Sequence, residues 1–478
     1  MFFRQFFDTP LAQASYLIGC QETGDAIVID PMRDVEPYVR TAAQEGLRIT
    51  FVTETHIHAD FVSGSRELSA RVGARVLLSA EGGAEWQYDY AAADNAQLLR
   101  DGESFMVGNI RFDVIHTPGH TPEHLSFVIT DTPAAAGPMG ILTGDFVFVG
   151  DVGRPDLLEK AAKISNTMEA SARVLYHSLQ KFLTLPDHLQ LWPGHGAGSA
   201  CGKALGAVPF STVGYEKLAN WALLIPNEDA FVREVLEGQP DPPRYFAHMK
   251  RVNKEGPRVL RGIVIPPKLP AAAIHALMKS NSLVIDIRPA ATFAESHVPR
   301  TLSIPYNKSF STWAGSILPT DVEIVLLVNA EPHDLRTNEL EKAVRDLANI
   351  GFDNVAGWLD QGALKAWIDA GHQLGRTKQI STNEFAVERA NSNAQLIDVR
   401  SLADWSHEHI AGSASIPMGY LESLQSTLSE APIVLHCQSG ARSAIAASVL
   451  MRAGRTNVRN LVGGIDAWKA TAHPVEQG

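Results

Sequence analysis

The feature that most limits the possible folds is an internal repeat in the C-terminal half of the chain. The string VIDIR at residues 284–288 returns as LIDVR at residues 396–400, and His297 recurs at the same offset as His409. Each copy alternates short β-branched runs with helical patterns. This alternation is typical of a parallel sheet flanked by helices, so we predict two α/β domains of one kind.

The second copy of the repeat has a strand that ends at a cysteine. Residues 434–443 read VLHCQSGARS, with Cys437 after the strand and Arg442 at the start of a helical run. The backbone N–H groups of such a loop and the dipole of the following helix favour an anion over the cysteine. A guanidinium adds a fixed positive charge. We therefore predict that Cys437 is a catalytic nucleophile in an anion-binding cradle, and not a structural buried cysteine.

This segment resembles the active-site loop of the rhodanese (sulfurtransferase) family, and the resemblance covers most of the C-terminal domain. In that family the cysteine carries a persulfide sulfur, which implies that Cys437 is the sulfur carrier and residues 438–442 are the anion cradle. Ser439 and Gly440 are then expected to contact the sulfur substrate. A Cys-loop-Arg phosphatase is less well matched, because the four residues between Cys437 and Arg442 make a loop one residue shorter than such enzymes usually have.

The middle copy lacks this chemistry. Val328 stands where the last copy has Cys437, and residues 329–333 (NAEPH) provide no cysteine, glycine or arginine for a cradle. This copy resembles a rhodanese that cannot carry sulfur, and we expect it to have a packing or docking role.

The N-terminal part of the chain carries a second chemical pattern, a series of apolar strands that each end in a loop with histidine or aspartate. The loops read HIHAD at residues 56–60, HTPGHT at 116–121, GD at 144–145 and PGH at 193–195. Imidazoles and carboxylates that converge from loops on a rigid scaffold commonly bind metals. We therefore predict a metal site in this part of the chain.

This order of motifs resembles the metallo-β-lactamase superfold, an αββα sandwich with its metals at one edge. The full dinuclear pattern has a histidine directly after the aspartate, whereas Asp60 is followed here by Phe61. The resemblance then implies a mononuclear site made of His56, His120 and Asp145. Two histidines and one carboxylate on one face leave open positions that suit non-haem Fe(II), so we expect one Fe(II) per chain.

Within the superfold the chain resembles the persulfide dioxygenase family. Residues 59–64 and the string GDVGRPDL at residues 150–157 favour that family over the thioester-cleaving glyoxalases. The resemblance implies that His58, Asp60 and His195 do not bind the metal but orient its ligands and the substrate by hydrogen bonds.

Several further polar residues have more than one interpretation. Arg154 either contacts the carboxylate of a thiol carrier or forms a salt bridge within its loop. Cys201 is a candidate for thiol or persulfide handling near the metal, and Lys203 would lower its pKa if it pointed the same way. We expect His116 and His124 to be ordinary polar loop residues.

Composition limits the class of protein. At 478 residues, with 45% hydrophobic and 20% charged, the chain is too long for one core. We predict an α/β protein with an αββα domain at residues 1–257 and rhodanese-like domains with parallel sheets at residues 265–375 and 380–478. The net charge of −12 argues against nucleic-acid binding, and no apolar run is long enough for a membrane span. Three cysteines cannot form a disulfide framework, which predicts a reducing, cytoplasmic location.

The two sites suggest one function, because both would act on sulfane sulfur. The hypothesis is that the iron site oxidises a low-molecular-weight thiol persulfide with O₂ to sulfite and thiol, while Cys437 forms or uses thiosulfate. The alternatives are a dinuclear zinc hydrolase of glutathione thioesters joined to a sulfurtransferase, and a protein-docking role for the rhodanese repeats. The identity of the thiol and the direction of sulfur flow stay open. The resembling families are often dimers or tetramers, so we expect a homo-oligomer.

Overall fold

The computed structural model describes residues 1–160, 167–239, 241–329, 337–389 and 393–478. Contacts within the chain divide it into two compact units. The first unit comprises Met1–Ile263 with Ala348–Gly351, and the second comprises Val264–Leu347 with Phe352–Gly478. Within the described ranges, no helix combines the length and the apolar composition that are needed to cross a membrane.

The first unit contains two six-stranded sheets. The strands of the first sheet are β1 (Phe2–Asp8), β2 (Gln13–Gly19), β3 (Asp25–Ile29), β4 (Arg48–Thr53), β5 (Arg75–Ser79) and β6 (Gln97–Leu99). They pair in sequence order, antiparallel from β1 to β3 and parallel from β3 to β6. The strands of the second sheet are β7 (Ser104–Val107), β8 (Ile110–His116), β9 (Leu125–Asp131), β10 (Gly140–Gly144), β13 (Gln190–Pro193) and β14 (Ser211–Thr212).

In the second sheet the order is β14-β13-β10-β9-β8-β7. Only the β10–β13 pair is parallel. A small hairpin follows β10 and consists of β11 (Val147–Phe148) and β12 (Asp151–Val152). The helices of this unit are α1 (Glu36–Gln44), α2 (Ser65–Val72), α3 (Leu157–Lys160), α4 (Met168–Leu183), α5 (Val213–Ala219), α6 (Glu228–Leu236) and α7 (Phe246–Glu255), with a 3₁₀ turn at Ala84–Trp86.

Three apolar cores separate the layers of the first unit. Successive residues of one strand enter different cores because side chains alternate across a sheet. On β3, Val28 belongs to the core that includes α1 and α2, whereas Ile29 belongs to the core between the sheets. On β9, Phe127 faces the core between the sheets, whereas Val128 shares a core with Leu179 of α4. The order is helix, sheet, sheet, helix, and the predicted αββα sandwich is confirmed.

The second unit contains two separate parallel sheets. The strands are β15 (Leu283–Asp286), β16 (Leu302–Ser303), β17 (Ile324–Leu327) and β18 (Val355–Leu359) in the first, and β19 (Lys378–Ile380), β20 (Gln395–Asp398), β22 (Ala414–Ser415), β23 (Ile433–His436) and β24 (Val458–Leu461) in the second. Their orders are β16-β15-β17-β18 and β19-β24-β23-β20-β22. All strand pairs in both sheets are parallel. A short antiparallel pair joins β21 (His409–Ile410) to β25 (Val475–Glu476).

Helices flank both sheets of the second unit. They are α8 (Ile274–Leu277), α9 (Ala290–Glu295), α10 (Phe310–Ile317), α11 (Thr337–Asn349), α12 (Gly362–Asp369), α13 (Thr382–Arg389), α14 (Leu402–His407), α15 (Leu421–Leu424), α16 (Ala441–Arg452) and α17 (Gly464–Ala470). Short 3₁₀ turns occur at Ala271–Ala273, Met418–Tyr420 and Gln425–Thr427.

The repeated sequence string forms the same buried ion pair in both copies. Asp286 and Arg288 form a buried ion pair, with Nη2 2.6 Å from Oδ2, and Asp398 and Arg400 form its equivalent at 2.7 Å. In each copy the same guanidinium also donates to a main-chain carbonyl eight residues further on. A buried charge is tolerated when it is paired and fully hydrogen-bonded, which explains why aspartate and arginine recur together.

Candidate metal centre and sulfur-carrier loop

Loops at the ends of strands bring the predicted metal-site residues together. His56 and His58 follow β4, His120 lies between β8 and β9, Asp145 follows β10 and His195 follows β13. All five side chains are buried. Each of these loops starts from a paired strand, which restricts where the five side chains can lie.

The carboxylate of Asp145 lies at the centre of this group. Its Oδ2 is 3.5 Å from Nε2 of His120 and 3.9 Å from Nε2 of His56. The three donor atoms all lie within 4.8 Å of one another. Among the described residues neither carboxylate oxygen has a hydrogen-bond partner. A buried, unpartnered carboxylate is costly, so the three side chains fit a shared cation.

His195, which the family resemblance assigns to orienting the metal ligands, is as close to the Asp145 carboxylate as the predicted ligand His120. Its Nε2 is 3.5 Å from Oδ2 of Asp145, as near as that of His120, and 3.3 Å from Oδ2 of Asp60. Asp60, His195 and Cys201 form a second group whose donor atoms lie within 4.8 Å of one another. Phe61 is fully buried, with its ring centroid 4.4 Å from that of His58. The position after Asp60 is therefore used for packing.

His120 and His195 direct their Nε2 atoms towards the centre. His120 Nδ1 donates to the carbonyl of Arg154 at 3.0 Å and His195 Nδ1 donates to that of Ala12 at 3.1 Å, which leaves Nε2 as the free nitrogen of each ring. Burial, together with the neighbouring histidines, lowers the pKa of His56 well below its ordinary value. Burial also lowers the pKa of His120. Neutral imidazole is the form that binds metals.

Asp30 and Thr55, to which sequence reasoning gave no role at the site, orient two of the histidines. His56 Nδ1 lies 3.0 Å from the Thr55 hydroxyl, which in turn donates to Oδ2 of Asp30 at 3.0 Å. Asp30 Oδ1 accepts from Nε2 of His58 at 3.1 Å. Burial opposes protonation of His58, but Asp30 outweighs it and raises the pKa to about 9. Asp30 has a φ of 53°, unusual for a residue with a side chain, which fits a constrained functional position.

We expect Thr55→Val to weaken metal binding about 10–100-fold, because His56 Nδ1 loses the acceptor that fixes its ring orientation. Affinity is measured by competition with a chelating dye. Thr55→Ser keeps the hydroxyl and should bind metal as the wild type does. Equal affinity in the valine and serine variants would show that the hydroxyl does not orient His56.

His124 corrects an expectation. It is fully buried and not an ordinary polar loop residue. Its Nε2 accepts from the backbone N–H of Asp145 at 3.1 Å, its Nδ1 is 2.8 Å from the Thr117 hydroxyl, and its ring stacks on that of His56. His124 therefore positions Asp145 and His56 together. The partner Asp145 is 21 residues away, so no local pattern marks this role. His116 contacts the carbonyl of Pro122 and lies outside the site.

Arg154 forms the loop salt bridge that was one of its two interpretations. Its side chain is fully buried, and Nε and Nη2 each donate to a carboxylate oxygen of Asp156 at 2.7 Å. Nη1 donates to the carbonyl of Ala200 at 3.2 Å. Its charge is therefore paired with that of Asp156 inside the loop.

We expect Arg154→Met to lower the free energy of unfolding by about 3–5 kcal/mol, because it removes the guanidinium that pairs with the buried Asp156 carboxylate. Chemical denaturation measures the change. Arg173→Met is the matched control, since Arg173 forms its ion pairs at the surface and surface pairs contribute little. Equal effects of the two substitutions would contradict a structural role for the buried pair.

Cys201 lies beside the candidate metal-site carboxylates of Asp60 and Asp145. The ammonium of Lys203 points away from the Cys201 thiol. Burial raises the pKa of Cys201 well above its ordinary value, and the charges of Asp60 and Asp145 add to this. Lys203 Nζ instead donates to the carbonyls of Glu234 and Glu237. The condition under which Lys203 would lower the pKa of this thiol is therefore not met, because its ammonium is engaged elsewhere.

In the second unit Cys437 directly follows β23 and is buried. Its Sγ accepts from the backbone N–H of Gly440 at 3.2 Å and from the Ser443 hydroxyl at 3.5 Å. Gly440 precedes α16 with a φ of 90°. A Cβ on Gly464 would lie 2.2 Å from the Cys437 carbonyl, so only glycine permits this close approach. The loop thus directs a backbone N–H and a hydroxyl at the sulfur.

Arg442 does not reach the sulfur among the contacts of the described residues. Its side chain is one-third exposed (33%), and Nη1 is 3.9 Å from Oδ2 of Asp404. Arg400, from the repeated string, instead donates to the side chain of Gln438 within the loop at 3.1 Å. In the sequence Arg400 is marked only as part of the internal repeat at residues 396–400, so its contact with the loop could not be predicted.

A cavity of 530 Å³ opens beside the Cys437 loop. Ser439, Gly440 and Asn460 line one part of it, and residues of α9, from the middle copy, line another. Oδ1 of Asn460 is buried and has no hydrogen-bond partner among the described residues. The middle copy therefore contributes a wall to this cavity, which is consistent with a packing role. Val328 of that copy is buried, while residues 330–333 lie outside the described residues.

Comparison with known proteins agrees with this arrangement. Residues 8–195 match the family model of the metallo-β-lactamase superfamily, and residues 381–471 match that of the rhodanese-like domain. The chain belongs to the metallo-β-lactamase superfamily and carries a rhodanese-like domain in its C-terminal part.

Three relatives illustrate the similarity. A solved metallo-β-lactamase structure from Staphylococcus aureus is 41% identical with a TM-score of 0.66, over 75% of this chain and 98% of that one. Human mitochondrial persulfide dioxygenase ETHE1 is 31% identical over 40% of this chain and 67% of its own length. A beta-lactamase hydrolase-like protein of Xylella fastidiosa is 30% identical over 53% of this chain. The chain spans 60% of the length of that last relative.

Proposed function

We propose that this protein is an Fe(II)-dependent persulfide dioxygenase joined to a sulfurtransferase. The observation that carries the proposal is the buried group of His56, His120 and Asp145, in which neither carboxylate oxygen has a hydrogen-bond partner among the described residues. Two imidazoles and one carboxylate are the donor set of non-haem iron oxygenases. The similarity to human persulfide dioxygenase supports the same choice.

The overall reaction converts one persulfide, one O₂ and one water into one thiol, one sulfite and two protons. Fe(II), when bound, supplies O₂ activation and a positive charge for the persulfide anion. His56, His120 and Asp145 would hold it, while Thr55 and Asp30 fix the His56 ring and His124 fixes Asp145. Burial of the whole group keeps bulk water away from the reacting sulfur, which strengthens its electrostatic interactions.

The second reaction takes place at Cys437. The Cys437 thiolate attacks the outer sulfur of a second persulfide R–S–SH, the S–S bond of that persulfide breaks, and the thiol R–SH leaves, which gives Cys437–S–S⁻. The N–H of Gly440 and the Ser443 hydroxyl would stabilise this anion. Sulfite then attacks the outer sulfur with its lone pair. The S–S bond breaks, thiosulfate leaves and the Cys437 thiolate remains, stabilised by the same two donors. The reverse reaction uses the same contacts. Ser439 and Gly440 are the proposed substrate contacts in the adjoining cavity.

The test is O₂ consumption by the purified, Fe(II)-loaded protein given glutathione persulfide, with sulfite and thiosulfate measured in the same vessel. We expect one sulfite equivalent, free or as thiosulfate, for each O₂ consumed. The zinc-loaded protein is the matched control and should consume none, because zinc has no accessible redox chemistry. Absence of uptake with glutathione persulfide and with coenzyme A persulfide would exclude the dioxygenase.

A second candidate is a dinuclear zinc hydrolase of glutathione thioesters joined to a sulfurtransferase. The observation that favours it is the group of Asp60, His195 and Cys201. The dinuclear pattern has a histidine at the position of Phe61, and the Cys201 thiolate would take the place of that missing ligand. Thiolate and imidazole suit zinc. Metal analysis separates the two: this candidate requires two zinc ions per chain and hydrolysis of S-lactoylglutathione, whereas the dioxygenase requires one iron.

A further inference from the structure

A second cavity, of 610 Å³, lies in the first unit against the loop that carries His120. Gly119 and Pro122, on either side of that histidine, line one wall. Trp86, Lys250 and Lys254 line another, and Glu85 is the acidic residue among the lining side chains. The volume is in the range of pockets that hold small organic ligands. A molecule in this cavity would therefore contact the metal-site loop directly.

The cavity is distinguished by the ammonium group of Lys250. Its Nζ lies 3.6 Å from the centroid of the Trp86 ring, and no carboxylate of the described residues forms an ion pair with it. Lys254, one helical turn further along α7, is 3.7 Å from Asp89 at the surface. Burial lowers the pKa of Lys250 to about 8, partly offset by the carboxylate of Glu123.

The Glu123 carboxylate offsets only part of the cost of desolvating this half-buried cation, and a ligand anion would relieve more of it. The indole face of Trp86 holds the ammonium in place but does not neutralise it. A carboxylate or phosphate group that entered the cavity would gain a charge-assisted hydrogen bond in a partly desolvated setting. The site therefore favours an organic anion over a neutral molecule.

We propose that this cavity binds the anionic part of the thiol that carries the persulfide, with Lys250 as the principal contact and Lys254 as a second cation. The proposal rests on the proposed persulfide oxidation and specifies its substrate class: a low-molecular-weight thiol with a carboxylate or phosphate group. The sulfur end would extend past Gly119 towards His120. A peptide thiol and a nucleotide thiol share this chemistry.

Steady-state kinetics with three persulfides tests the assignment. Glutathione persulfide supplies carboxylates, coenzyme A persulfide supplies phosphates, and 2-mercaptoethanol persulfide has no charge on its carrier. We expect Lys250→Met to raise KM for one or both charged persulfides at least about tenfold, with kcat and the KM of the uncharged persulfide unchanged. The charged substrate that is affected identifies the source of the anion. Lys250→Arg should retain most of the affinity.

Lys181→Met is the matched control, because Lys181 is an exposed lysine of the same unit that does not line the cavity. Lys254→Met is the second variant and should show a smaller rise in KM, since Lys254 already lies near Asp89. Thermal unfolding confirms that all variants are folded. Equal changes in KM for charged and uncharged persulfides, or no change for any of them, would overturn the proposal.

Calorimetry measures binding of the thiol to the cavity independently of O₂ consumption. Reduced glutathione and coenzyme A are titrated into the full chain, and binding of at least one is expected to weaken in Lys250→Met and not in Lys181→Met. Lys250-dependent binding in a wild-type protein that consumes no O₂ would support the cavity and reject the dioxygenase. Oxidation of persulfides without binding of either thiol would reject the cavity alone.

Discussion

Replacing His120 with alanine is expected to abolish O₂ uptake and to leave thiosulfate sulfurtransferase activity at the wild-type rate. In the proposed ligand set His120 supplies one of three donors, and its Nδ1 bond to the Arg154 carbonyl holds Nε2 towards Asp145. Losing a residue that only orients a metal ligand lowers metal affinity or activity about 10–100-fold. Losing a ligand itself should have a larger effect, so we expect O₂ uptake to fall more than about 100-fold. An oxygen electrode measures the O₂ uptake of the variant, and metal analysis measures the iron that it retains.

His188→Ala is the control for this substitution. His188 is exposed and contacts the carbonyl of Pro138, outside the candidate metal centre. It should keep both activities and its metal. A His120→Ala protein that stayed folded, retained iron and consumed O₂ at the wild-type rate would contradict the assigned ligand set.

Replacing Cys437 with serine is expected to eliminate thiosulfate sulfurtransferase activity and leave O₂ uptake unchanged. A serine hydroxyl fits the space of the thiol but cannot form a persulfide with a donor. The N–H of Gly440 and the Ser443 hydroxyl then have no sulfur to stabilise. We expect activity to fall to the uncatalysed background, and mass spectrometry to show no added sulfur after incubation with thiosulfate.

Cys20→Ser is the matched control, because Cys20 is also buried and accepts a backbone N–H, from Asn109. It should retain both activities. If either His120→Ala or Cys437→Ser removed both activities from a folded protein, the model of two separate chemical sites would be wrong.

Much of the fold was predictable because its evidence is local and periodic. The strand β3 is a continuous apolar run from Ala26 to Ile29, which is the pattern of a strand buried on both faces, and Val28 and Ile29 enter different cores. The repeat of Asp286 and Arg288 at Asp398 and Arg400 marks one buried ion pair that each copy must make. The loops bearing His56, His120 and Asp145 were visible because each follows an apolar run, and strand ends at one edge bring such loops together.

Other parts of the site were not predictable because they depend on contacts between distant segments. The roles of Asp30 and His124 exist only where the chain brings each beside its partner. Lys203 follows Cys201 closely in sequence, yet its ammonium binds main-chain carbonyls at the C-terminal end of α6. Nearness in sequence does not fix the direction of a side chain.

The sequence alone determined which chemical groups are available: a histidine–aspartate set on strand ends, and one cysteine loop in the second of two similar copies. Its periodicities also determined the layered architecture. Only the tertiary structure decided which groups act together. It paired Arg154 with Asp156, placed His195 as close to Asp145 as His120 is, and left the ammonium of Lys250 in a cavity without an ion pair among the described residues. The physical reason is that hydrogen bonds and ion pairs require separations of a few ångströms, and those separations are set by packing across the whole unit.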